Sequence, residues 1–72
     1  MKFMGIDYAS KEAEKNGELS TITLVEIRKG IVKILFCTVG TGERISKLER
    51  LLKIKYAIDN SNVCKERPFE GL

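Results

Sequence analysis

Two aspartates stand where short apolar runs stop. Phe3-Met4-Gly5-Ile6 ends on Asp7, and Tyr56-Ala57-Ile58 ends on Asp59. If both runs are neighbouring parallel strands, their C-terminal ends open into one crevice. Carboxylates held there repel each other, and a divalent cation relieves the repulsion. Mg²⁺ is satisfied by one or two carboxylates together with waters and substrate phosphates. A pair of such ions roughly 3.5–4 Å apart activates a water and stabilises the leaving oxygen of a phosphodiester. The pattern therefore points to Mg²⁺ or Mn²⁺ on Asp7 and Asp59, which become both metal ligands and catalytic residues of a phosphoryl-transfer site. A plainer reading competes with it. Asp7 opens a turn, and Asp59 starts an Asx turn with Asn60 and Ser61.

Other chemistries lack their residues. The chain has no histidine and no Cys-x-x-Cys, so the ligands of a zinc site are missing. Cys37 lies in an apolar run and Cys64 in a polar tail, which reads as reduced thiols in an intracellular protein and places it in the cytoplasm. No apolar run reaches the ~18–20 residues of a membrane span, and the N-terminus lacks the apolar region of a signal peptide. Gly40-Thr41-Gly42 has neither the Lys-Ser/Thr of a phosphate loop nor a third glycine of a dinucleotide fingerprint, so it reads as a turn into a helix. The formal net charge is +3, and the stretch from Glu43 to Lys55 carries that whole excess. Its Arg44, Lys47 and Arg50 form a candidate nucleic-acid-binding face.

The positioning elements follow from the pattern. Met1–Tyr8 reads as a strand. It is apolar on both faces, which predicts cover on both sides, and Gly5 predicts a close neighbour. Ala9–Glu18 reads as a charged loop with a turn at Asn16-Gly17. Leu19–Arg28 and Ile31–Val39 read as a hairpin closed by Lys29-Gly30. Strict alternation puts Val32, Ile34, Phe36 and Thr38 on one face of the second strand. Thr41 is a natural N-cap for a helix over Glu43–Lys55. Ile45, Leu48, Leu51, Leu52 and Tyr56 then pack on the sheet, and Glu49 pairs with Lys53 at the surface. A helix feeding Tyr56–Asp59 implies a crossover, and hence a strand parallel to the first. Val63–Leu72, with Pro68, reads as a loosely ordered tail. The expected architecture is α/β: a mixed sheet of antiparallel hairpins, then a helix and a strand parallel to β1. Residues 1–72 read as one small domain, or a piece of one.

The order strand–Asp–loop–hairpin–helix–strand–Asp resembles the first half of a ribonuclease H-like fold. The nearest family is the nuclease domain of phage terminase large subunits. Gly5-Ile6-Asp7-Tyr8 is similar to its first strand, and Tyr56 to Val63 to its fourth strand and following turn. The resemblance runs from Met4 to about Val63. It implies a metal-dependent nuclease module, or an inactive remnant of one, acting on DNA or RNA with Asp7 and Asp59 as ligands. In that family a third acid follows later, and Glu66 and Glu70 come too early to match it. The turn after Asp59 is one residue shorter than the family's, with Asn62 where glycine is usual. An actin-like ATPase fragment, which also begins Gly-Ile-Asp, fits less well, because Tyr8-Ala9-Ser10 replaces its Gly and Thr turn. The alternative from another class is a small interaction protein without catalysis. It would bind nucleic acid or a protein through the Arg44/Lys47/Arg50 face, and its sheet edges would favour homo-oligomers.

Overall fold

Lys29 and Gly30 both adopt positive φ, 52° and 78°. That is the conformation of a type I′ turn, whose twist matches the strands it joins. The hairpin it closes is the longest part of the fold. The structure is a computed structural model that describes residues 1–70. Its elements are β1 (Lys2–Asp7), α1 (Lys11–Lys15), β2 (Ser20–Arg28), β3 (Ile31–Gly40), α2 (Gly42–Lys55), a 3₁₀ turn (Asn60–Asn62) and β4 (Val63–Lys65). The strands form one mixed sheet in the order β3-β2-β1-β4. β1 is antiparallel to β2 and parallel to β4. At the open end of the sheet Lys2 pairs with Glu26 across the strands, and its ammonium, 3.3 Å away, holds that carboxyl below the usual range.

α2 covers one face of this sheet. Met4 and Ile6 of β1, Ile22 and Leu24 of β2, and Ile45 and Leu52 of α2 are buried together with Tyr8 and Ile58. Thr41 caps α2, its hydroxyl accepting the Arg44 amide at 3.3 Å. Among the described residues, no helix is long and apolar enough to cross a membrane.

Three expectations about the elements are corrected by the structure. The first concerns Tyr56–Ile58, which is not a strand. Tyr56 is the C-cap of α2, and Ala57 takes a left-handed φ of 52°. The Ile58 amide donates to the Lys53 carbonyl at 3.0 Å and the Ala57 amide to the Ile54 carbonyl at 3.3 Å. This is a Schellman ending, and the burial of Ile58 with Leu52 is the hydrophobic contact that accompanies it. The apolar character of the segment serves helix termination, and the parallel strand is Val63–Lys65.

The second is the face assignment in β3. Leu24 pairs with Phe36 but Val25 pairs with Ile34, so Leu35 is an extra residue. This bulge breaks the period of two. Phe36 and Leu35 pack toward the core, while Val32 and Ile34 lie on the opposite face. Third, Ala9–Glu18 contains α1, capped by Ser10, whose hydroxyl accepts the Ala13 amide at 3.0 Å. None of its residues is buried, so no apolar period announced it. After β4 the chain packs back on the fold: the Phe69 ring lies 5.2 Å from the Tyr8 ring, and Glu70 accepts the Lys11 amide at 3.2 Å. The end of the expected tail, residues 71–72, lies outside the described residues.

Candidate functional site

Asp7 closes β1 and is exposed. Asp59 caps the 3₁₀ turn, its Oδ1 accepting the Ser61 amide at 3.1 Å. The Asx turn weighed from sequence is thus the role this carboxylate fills. The parallel register sets Met4 beside Val63. Asp7 lies three residues beyond that level, about 10 Å at strand rise. Asp59 precedes Val63 and sits at the other end of β1, in a cleft with Met1 and Lys2. The structure does not bring Asp7 and Asp59 together, so they do not fit a shared metal centre. Among the described residues, no group of three or more His, Cys, Asp or Glu side chains is placed to hold a metal ion.

The acid that does stand beside Asp7 is Glu66. It follows β4 directly, and its amide donates to the Ile6 carbonyl at 3.3 Å. The register that sets Lys65 beside Ile6 therefore continues to Glu66 beside Asp7. Sequence reasoning missed this because β4 has only three residues, too few to show a period.

The N-terminus of α2 is occupied by the protein itself. Glu14 accepts the Gly42 amide at 3.4 Å, which places a carboxylate where a phosphate would otherwise bind. Gly42 is required there for a different reason: a Cβ would come 2.8 Å from the Phe69 ring. Nothing comparable holds at Gly5, where a Cβ would meet no atom within 4 Å. The close neighbour expected at Gly5 is absent.

Arg44, Lys47 and Arg50 are exposed on α2, with the Arg44 stem against Gly40 at the end of β3. Lys47 pairs with Glu43 at 3.6 Å in solvent, an interaction worth at most a few tenths of a kcal/mol. Leu51, expected to pack on the sheet, is 63% exposed. Its place in the buried stripe is taken by Glu49, which is 6% exposed. Glu49 accepts a hydrogen bond from the Tyr8 hydroxyl at 2.9 Å and an ion pair from Lys65 at 2.8 Å. Lys53, its expected surface partner, stands 4.0 Å away. One carboxylate thus ties α2 to the end of β1 and to β4. Burial pushes the Tyr8 phenol up to about 12, helped by the hydrogen bond to Glu49 and by its charge.

The sheet face opposite α2 has no helix packed on it among the described residues. Register places Phe3, Gly5 and Asp7 of β1 on it with Thr21, Thr23, Val25 and Ile27 of β2. Val32, Ile34, Cys37 and Val39 of β3 and Cys64 of β4 complete it. Val32 is 61%, Ile34 65% and Val39 52% exposed. Among the described strand residues on this face, only Asp7, at the rim, carries a charge. Among the described residues, the cover predicted on both sides of β1 exists on one side only. No family model matches this chain, and neither curated proteins nor solved structures give a significant match.

Proposed function

We propose that this chain is a protein-interaction module that works through its uncovered sheet face, without catalysis of its own. The observation that carries this reading is the row of exposed aliphatic side chains Val32, Ile34 and Val39 on a face whose interior holds no charge. Contiguous exposed apolar surface is rare in proteins that act alone and marks sites of association. The exposed edge is a weaker candidate for this role. β3 carries a bulge and Lys33, both of which discourage pairing with another strand. The face test is binding of bis-ANS, a fluorescent probe of apolar surface, at low-micromolar chain concentration. Ile34→Glu/Val39→Glu is expected to reduce the enhancement about fivefold or more with the far-UV circular dichroism unchanged. Equal enhancement in wild type and variant would overturn the reading.

A second reading, the ribonuclease H-like nuclease module, is favoured by two features. β4 runs parallel to β1 beside it, and Asp7 has Glu66 as its neighbour at the strand ends. In this reading Glu66 replaces Asp59, since a pair of carboxylates with waters and substrate phosphates is a setting Mg²⁺ accepts. Arg44, Lys47 and Arg50 would contact the nucleic-acid backbone. Backbone NMR with Mn²⁺ decides it. Broadening centred on Asp7 and Glu66, sparing Asp59 and lost in Asp7→Asn, is the expected signature. No response near Asp7 at millimolar Mn²⁺ removes the nuclease reading.

A further inference from the structure

We infer that the occupant of the uncovered face is a second copy of this chain, stacked sheet on sheet. The inference rests on the interaction reading above and names its partner.

Charge is the first argument. The interior of the face is neutral, with Asp7 and Glu66 together at one rim, while the chain carries +3 overall and Arg44, Lys47 and Arg50 are exposed on α2, which covers the other face. Two copies stacked on this face bury no like-charge pair and keep their basic helices apart, on the two outer surfaces. A nucleic acid would find no cation on this face to neutralise its phosphates. A charged partner would find no counter-charge in the interior of the face. A neutral aliphatic sheet matches a neutral aliphatic sheet.

Area is the second. Four strands at about 4.8 Å and some seven residues at about 3.3 Å give a face of roughly 19 × 23 Å. Two such faces bury on the order of 900 Å², just under the roughly 1,000 Å² of a stable specific interface. The pair is therefore weak and responds to concentration. Stacked sheets lie about 10 Å apart with strands near −30°, and the product is a helix–sheet–sheet–helix sandwich.

Gly5 is the third. It lies on this face between Thr23 of β2 and Cys64 of β4. A Cβ there would meet nothing within 4 Å, and its φ is not in the left-handed region. No contact among the described residues and no backbone conformation requires glycine there. A notch at the centre of an apolar face admits a side chain from the opposing sheet.

The experiment is sedimentation velocity from low to several hundred micromolar chain, on wild type, Gly5→Glu and Ile34→Glu, with alkylation of Cys37 and Cys64 by iodoacetamide followed in parallel. Neither substitution disturbs the monomer, because both sites face solvent. Wild type is expected to shift from monomer to dimer with concentration, and both variants to stay monomeric with unchanged circular dichroism. Both thiols lie on the face, so their alkylation should slow several-fold as dimer forms. A dimer that survives Gly5→Glu, or one that leaves both thiols reactive, overturns the stacked pair. Wild type that stays monomeric throughout while bis-ANS still binds in a face-dependent way overturns the second copy but leaves the docking reading standing. Loss of both signals removes both.

Discussion

Glu49→Ala is expected to cost about 3 kcal/mol of folding stability, and Leu51→Ala less than about 0.5 kcal/mol. A pattern reading of α2 gives the opposite order. Glu49 is buried at 6% exposure, while Leu51 is 63% exposed. Removing the carboxylate leaves the Tyr8 hydroxyl buried without its acceptor, which alone costs about 1–3 kcal/mol. It also removes the anchor of Lys65, and with it the tie between α2 and the three-residue β4. Lys65 is partly exposed, so its ammonium returns to water and adds little penalty. The total stability of a chain this size is roughly 4–11 kcal/mol, so the loss is a large fraction of it. Glu49→Gln keeps an acceptor for Tyr8 and should lose only about 1 kcal/mol. Urea unfolding of the three variants measures all of this. Equal midpoints for Glu49→Ala and Leu51→Ala would show that the buried carboxylate does not hold the fold together.

The second large effect is a loss of stability in alkali, on the order of 2 kcal/mol, between about pH 10 and about pH 12. The folded Tyr8 phenol is pushed up to about 12 from an ordinary value of 10.0. Above pH 10 the unfolded chain releases this proton while the folded chain retains it. The unfolded state then binds fewer protons, so stability falls as pH rises through this window and levels off above it. Below pH 10 the contribution is fully present. Tyr8→Phe should cost about 1 kcal/mol at neutral pH, because Glu49 keeps Lys65 when the hydroxyl goes. It should also remove the Tyr8 share of the alkaline loss. The difference between the wild-type and Tyr8→Phe unfolding profiles isolates that share from the other groups titrating there. Parallel profiles from neutral pH to pH 12 would exclude the buried, hydrogen-bonded phenol as the cause.

Local signals in this chain were legible because their causes are local. Lys29-Gly30 closes a hairpin whatever surrounds it, since turn geometry depends on two residues. Thr41 caps α2 because its hydroxyl needs only the Arg44 amide, one turn away. The alternation of β2 sets Ser20, Ile22 and Leu24 on one face, which the fold buries, since that strand pairs without interruption along that stretch. The general plan, antiparallel hairpins followed by a helix and a strand parallel to β1, follows from chain order and the geometry of crossovers.

What the tertiary structure alone decided is which candidates for function meet. Tyr56–Ile58 and Val63–Lys65 are both short and partly apolar, and composition cannot say which one pairs with β1. The Schellman ending of α2 consumes the first, which moves Asp59 to the far end of the sheet and sets Glu66 beside Asp7. Glu49 reads as a surface residue by its charge, yet Tyr8 and Lys65, distant in sequence, make its burial tolerable. The bulge at Leu35 moves Ile34 to the outer face, an exchange that depends on the partner strand and not on β3 itself. The apolar residues on both sides of β1 predicted two covers, and the described residues supply one. Sequence periodicity records that a face avoids water; only the arrangement of all the elements shows that they leave it uncovered.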